Sequence, residues 1–393
     1  MAKRKLVLTC GLAFLFGVFS ASQTWNFYFT ALLAVILFTL FAIFKKYPRK
    51  TFILLPIGFL IFGFFYHNFY INFQNIHLQV PSEPSWISQK LGVFKENQIN
   101  NFRISLPHNS AALLSGETFG ERSDFSKEFK DQMARSGTTH IVALSGYNIA
   151  ILVLAISTAL GSFLSRRKTF IITTIVIILF VIMVGGGASI IRAAIMGFLL
   201  LLAKELGRPY NLTNTIVLTA GLMVLINPTI LTQDIGFQLS FLSLLGIIYF
   251  EPVIKKIFNL KEGNGLLGWK ENATMTLSAQ VAVTPILIYH FNQFSITAIP
   301  ANILILAIVP LTMFFGFLLA TLNSISLLAG FLGAKLVNVI LLYQIIVIKT
   351  FSTINLAVPS FLASSTFVLI YYLALVLLVV KYSKLTLSKK HVQ

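Results

Sequence analysis

The chain has 393 residues, 56% hydrophobic and 11% charged, well below the roughly 25% charged share of soluble domains. The 30 Lys and Arg against 12 Asp and Glu leave a formal net charge of +18. In a polytopic membrane protein such an excess collects in cytoplasmic loops, so it is no argument by itself for a nucleic-acid surface. The single cysteine, Cys10, excludes an intrachain disulfide and a cysteine metal site.

In chain order, the basic start MAKRK leads into an apolar run that is expected to stay as a first helix, because no small-residue cleavage site follows. About twelve apolar segments approach the ~20 residues that a span needs. Eight fall in the first two thirds: Leu6–Ala21, Phe27–Phe44, Thr51–Phe65, Ile141–Leu164, Phe170–Val184, Ser189–Ala203, Leu212–Ile226 and Ile235–Phe250. The others are Ala273–His290, Ile296–Leu322, Leu327–Ile348 and Phe361–Lys381, with the stretch around Pro310 readable as one kinked helix or two short ones. Basic residues cluster in alternate connections: Lys3 to Lys5, Lys45 to Lys50, Arg166 to Lys168, Lys204 and Arg208, Lys255 to Lys270, and Lys381 to Lys390. That alternation predicts both termini on the cytoplasmic side.

One outer connection is long and polar, and carries as many basic as acidic residues. Within it, SDFSKEFKDQMARSG predicts a helix that starts at Ser123 or Asp124 and stops before Gly137. Phe125, Phe129 and Met133 share one face of it, so the helix would lie on the membrane surface or roof the bundle. The expected organisation is therefore a three-helix membrane segment (1–66), an extracytoplasmic loop with an amphipathic helix (67–139), a membrane core (140–381) and a basic cytoplasmic tail (382–393). The fold class is all-α and polytopic, with about 12 transmembrane helices, some of them broken or re-entrant.

Polar residues inside apolar segments mark candidate function, because a polar group at membrane depth is costly unless something uses it. His140, Ser145, Gly146, Tyr147 and Asn148 head one segment, in HIVALSGYNIAIL. Arg192, Asp234, Gln238, His290 and Asn302 lie in or beside others. An arginine at the bilayer centre costs at least ~2.5 kcal/mol, so Arg192 is expected to face the bundle interior, with Asp234 as its simplest partner. The pair would either pin two helices or line a conduit. No catalytic set stands out. His140 and Ser145 are five residues apart, about 140° around a helix, and would not meet unless the segment breaks near Gly146. GxSxG, HExxH, Walker A and metal-ligand spacings are absent. No enzymatic activity, cofactor or metal is expected.

Five stretches in order carry a resemblance. HIVALSGYNIAIL resembles the H-L-x-A-I-S-G-L-H-V signature of the ComEC competence family, and SIIRAAIMGFLLLLAKELGRP resembles its R-A-A-I-M helix. NPTILTQDIGFQLSFLSLLGI is similar to its P-x-x-L-x-D-x-G-F-Q-L-S-F segment, and VTPILIYHFNQFSITAIPANILILAIVPL to the segment with F-x-Q-F-S and N-L-L-A-I-P. LPHNSAALLSGETFGERSDFS resembles the A-L-L-x-G-x-L-x-G-x-R-S region that precedes the first signature. The resemblance covers about residues 105 to 320 and implies a channel core (residues 140–381 here) that conducts single-stranded DNA across the bacterial cytoplasmic membrane during natural transformation.

It further implies that the ten residues singled out above surround the conduit or its gate. A DNA receptor of ComEA type, a cytosolic helicase of ComFA type and a separate nuclease would be partners, together with the lipid bilayer. A homodimer would widen an otherwise tight bundle. Two departures stand out. The metallo-β-lactamase-like ligand set HxHxD is absent, and the space before the core is short for an OB-like domain. Asn148 occupies a position where many members have His, so a proton-switch role there is not expected. Two other readings stay open. One is a secondary transporter of a small anionic solute. The other is a cell-envelope enzyme on a lipid-linked substrate, for which Arg103 and His108 would be isolated candidates.

Overall fold

The structure is a computed structural model that describes residues 2–23, 51–76, 85–142, 146–258, 269–292, 294–354, 362 and 364–389. The described residues are overwhelmingly helical, with no strand among them. In order, the helices are α1 (Ala2–Ser22), α2 (Thr51–Ile76), α3 (Trp86–Ser105), α4 (His108–Phe119), α5 (Lys127–Ser136) and α6 (Thr139–Val142). Then follow α7 (Gly146–Gly161), α8 (Arg166–Val184), α9 (Ala188–Glu205), α10 (Leu212–Ile226), α11 (Ile230–Gln233) and α12 (Ile235–Ile257). The last are α13 (Trp269–Phe291), α14 (Ala298–Leu306), α15 (Val309–Ile325), α16 (Leu327–Ser352) and α17 (Ser365–Lys389). The chain divides into two compact units, residues 1–89 with 152–238 and residues 90–151 with 239–393.

Among the described residues, three helices are long and apolar enough to cross a membrane: Arg166–Val184, Ile235–Ile257 and Leu328–Ser352. The bent pair Ala298–Leu306 and Val309–Ser324 makes a fourth if counted as one span. Leu6–Ser22, Gly146–Gly161, Leu212–Ile226 and Ser365–Val379 are apolar but shorter. The tally stops short of the dozen apolar segments expected. Ala188–Glu205, for example, carries Arg192, Lys204 and Glu205 within 18 residues, while Phe27–Phe44 lies outside the described residues.

In the first unit, α1 packs along α2 and α10. The approach is set by glycine. A Cβ at Gly17 would run into the Leu60 carbonyl, and one at Gly63 into the Phe14 carbonyl, so only Gly lets these backbones meet. Val18 is fully buried, with Leu60 and Phe14 nearly so. α10 begins and ends where the sequence pattern placed it. Its N-cap Asn211 accepts from the Asn214 amide at 2.9 Å. α8 stops at Gly185, whose φ of 92° is left-handed.

The second unit is organised around α4. Every residue from Ser110 to Phe119 is buried, and the helix packs against α15 and α16. A Cβ at Gly316 of α15 would lie 2.7 Å from Leu114 Cδ1 and 2.8 Å from Thr118 Cγ2. The Phe119 ring stacks on Phe102 at 6.1 Å and meets Phe317 edge-on at 6.0 Å. A stretch that reads as part of a polar connection is thus the centre of this unit.

The amphipathic helix forms as α5, two to three residues later than expected. Its N-cap is Ser126, whose hydroxyl accepts from the Phe129 amide at 3.2 Å. Asp124 is instead held by Arg103. Gly137 ends α5 as predicted, at φ 69°, with the Thr138 amide closing on Met133 O at 2.9 Å. Phe129 and Met133 are buried and α5 packs on α16, so its apolar face roofs helices of this unit. Around Pro310 the structure resolves the open choice as two helices bent by 47°. In α13, Pro285 has no N–H to offer the Val281 carbonyl. The Tyr371 hydroxyl donates to that carbonyl at 3.0 Å, and Tyr372 donates to Ala282 O at 2.9 Å.

Candidate functional site

Each predicted residue is placed within its own unit. Arg192, Asp234 and Gln238 belong to the first. Asp234 Oδ1 accepts from the Phe237 amide at 2.8 Å, capping α12. Gln238 Nε2 donates to Thr232 O at 3.0 Å and to Leu231 O at 3.3 Å, tying α12 back to α11. Arg192 Nη1 lies 3.9 Å from Met196 Sδ, one turn along α9. The ion pairs among the described residues join Lys95 to Glu121, Arg103 to Glu96 and Asp124, and Lys255 to Glu251. The expected Arg192–Asp234 pair is not among them; Asp234 caps α12 through one oxygen.

The other described candidates sit in the second unit. Tyr147, half exposed at the start of α7, directs its hydroxyl to Leu306 O at the end of α14, at 3.4 Å. Asn302 lies on that same helix, one turn earlier, and is 1% exposed with Oδ1 lacking a hydrogen-bond partner. Asn148 is equally buried and donates to Glu117 O at 3.0 Å. His140 and His290 are exposed, with the His290 ring edge-on to Tyr289 at 4.9 Å. Gly146 opens α7. Ser145 lies outside the described residues.

Asn148 leads to the group that sequence reasoning missed. Glu117 is fully buried in α4. Its two carboxyl oxygens have no hydrogen-bond partner, and the side chain facing them is the Gln344 amide of α16, outside hydrogen-bonding geometry. Burial drives the carboxyl up to about 8, against a small lowering effect of that amide. Gln344, with no exposed surface, donates from Nε2 to Thr312 Oγ1 at 2.8 Å, and Thr312 donates to Ile308 O at 3.2 Å. The signal in the sequence is faint: one acid in the small, apolar run SAALLSGETFG.

Just past the glycine turn at Gly120 the acids Glu121 and Asp124 are paired. Arg103 holds Asp124 with two bonds of 2.8 and 2.7 Å. Those bonds, ahead of the weaker contact with Glu96, raise the guanidinium further above its ordinary value. Arg103 is thus part of a charged network. Among the described residues no group of three or more His, Cys, Asp or Glu could hold a metal.

The helices and their apolar surfaces define an all-helical membrane protein. Its sequence is matched over residues 118–385 by the competence protein family, well past the point near 320 where the motifs run out. The chain belongs to the competence protein family. It is similar to ComE operon protein 3 of Bacillus subtilis (strain 168), at 28% identity over 252 residues, covering 62% of this chain and 31% of that protein. The chain thus spans about a third of that relative's length. No solved structure matches the chain significantly.

Proposed function

We propose that the chain forms the membrane core of a channel that passes single-stranded DNA across the bacterial cytoplasmic membrane during natural transformation. The observation that carries this reading is the competence-family match over 118–385. The polar residues at the heads of α7, α9 and α12 supply what the reading needs. A polyanion cannot cross hydrocarbon, so its path needs polar or positive walls, and bases need contacts that tolerate any sequence. His140, Ser145, Gly146, Tyr147, Asn148, Arg192, Asp234, Gln238, His290 and Asn302 are assigned to the conduit or its gate. Both termini face the cytosol, and the membrane core runs over 140–381. The chain performs no catalysis of its own. A DNA receptor, a cytosolic helicase and a separate nuclease act with it, and two copies pair where one bundle is too narrow.

The test is entry of fluorescent DNA into cells carrying wild type, Arg192→Ala or Asp234→Asn, with the amount of protein in the membrane measured alongside. The reading expects cytosolic DNA to be lost at normal protein levels. Normal entry in both variants and in a full deletion overturns it. That result would favour a secondary transporter of a small anion, a reading supported by the 47° break between α14 and α15.

A further inference from the structure

In the second unit, residues 98–135 touch both ends of a helix long enough to cross the membrane. Leu328–Ser352 of α16 has 25 residues, about 37 Å of helix against about 30 Å of hydrocarbon. Ser326 caps its amino end, and Ser324 just before accepts from Gln98 Nε2 of α3 at 3.1 Å. At its carboxyl end Phe351 O accepts from the Thr297 hydroxyl at 3.0 Å. Beside Thr297, the Ser295 hydroxyl donates to Arg135 O of α5 at 2.6 Å. Between these ends Phe119 meets Phe317 and Glu117 faces Gln344. Phe317 is about two turns in from Ser324, and Gln344 about two turns in from Phe351.

The chain therefore enters the turn 120–126 at the depth of the span. Of those seven residues only Phe125 is buried. A charged network flanks the stacked rings of Phe102 and Phe119: Arg103 with Asp124 and Glu96, and Glu121 with Lys95. α5 then leads out to Arg135. It packs on α16 with Phe129 and Met133 buried, and exposes Lys127, Glu128, Lys130 and Asp131 on its other face. Hydrocarbon accommodates neither feature. Non-helical backbone at membrane depth is tolerated only where protein buries it or it lines a water-filled cavity. Ionised side chains there face a bundle interior or water. The lipid side of α16 is a different face, where Leu336, Val339 and Ile346 are exposed.

We propose that this unit holds a water-filled recess at membrane depth, walled by the 120–126 turn and the polar face of α5, that admits anions. Its sign follows from the side chains outside the ion pairs. Arg122, Lys127, Lys130 and Arg135 are exposed along this wall against Glu128 and Asp131, so the field favours negative solutes. None of these six is among the ten residues assigned to the conduit, and the recess adds a stretch of wall to it. It rests on the DNA-channel reading only for what travels through. The test below uses no DNA, so either can fail without the other.

The experiment uses the full chain in lipid nanodiscs, in a Cys10→Ser background with one new cysteine at a time. Lys127→Cys and Arg122→Cys probe the recess, and either serves should the other fail to fold. Ile346→Cys probes the lipid side of α16. Each is treated with small charged methanethiosulfonates, one cationic and one anionic, and with a maleimide carried on a polymer of protein size. The recess cysteines should react with the small reagents and lose reaction with the large one, while Ile346→Cys reacts with neither. The anionic reagent should be the faster at Lys127→Cys, and adding Lys130→Glu should reverse that order. Equal reaction with small and large reagents at the recess cysteines puts α5 outside the bilayer and overturns the proposal. So does a failure of both recess cysteines to react with any reagent, because the wall is then dry. Reaction at Ile346→Cys matching that at Lys127→Cys, or an order of reagents that Lys130→Glu leaves unchanged, overturns it as well.

Discussion

Glu117 and Glu121 stand four residues apart on either side of the Gly120 turn, in opposite surroundings. The first is fully buried in α4, faced by one amide and pushed up to about 8. The second lies in the loop that follows. Burial there is the largest single influence and acts upward. Bonds from the Ser123 hydroxyl and amide, and Lys95 at 3.1 Å, together outweigh it and hold the group at about 2. One side chain type thus serves as a buried neutral acid in one region and as an anchoring anion in the next. What decides is the supply of donors.

The largest way to break this comparison is a charge reversal. Glu117→Lys leaves an uncompensated ammonium in the middle of the unit and should cost about 3–5 kcal/mol. Glu121→Lys loses a partly exposed pair and should cost no more than about 1 kcal/mol. Thermal unfolding in detergent, read by circular dichroism, compares them; equal losses would erase the distinction between the two regions. The pH dependence sharpens it, with opposite signs. A raised acid contributes full stability below its unfolded value near ~4.5 and loses it as pH climbs through ~8, whereas a lowered acid contributes above ~4.5 and loses it as pH falls toward ~2. Glu117→Gln should therefore flatten the alkaline limb of the unfolding profile, and Glu121→Gln the acid limb.

A smaller effect is expected at Asn148, whose amide holds Glu117 O. Asn148→Ala strips a buried carbonyl of its donor and should cost about 2 kcal/mol, visible as a lower unfolding temperature. The smallest is Ser126→Ala, which removes the α5 cap on the exposed side of the turn for about 1 kcal/mol. Amide exchange should quicken in the first turn of α5 and stay unchanged in α4. Faster exchange in both would mean that the two regions unfold together.

The sequence showed different parts of this arrangement with different clarity. Leu212–Ile226 was legible end to end because Asn211 caps it and an uninterrupted apolar run fills it. Gly137 was legible as a stop, because a left-handed cap needs glycine. α4 was not legible as a core element. It has only 12 residues, too few for a span, and it lies between polar stretches that read as a connection. Its burial comes from tertiary contact, chiefly with α15 and α16. Of the candidate residues, Asn148 and Tyr147 do reach other elements of their unit. Asp234 and Gln238 spend their hydrogen bonds on nearby backbone, an outcome that periodicity does not register. Glu117 was hidden because a single acid among Ser, Gly and Thr resembles any solvated loop residue.

The bond from Tyr371 to Val281 O bears on how the protein is made. Pro285 leaves that carbonyl without its usual helical donor inside α13. The tyrosine that closes it lies 90 residues further along the chain. During synthesis α13 must therefore wait, incompletely satisfied, until α17 has been translated and has arrived beside it. A late helix of the chain thus completes an earlier one.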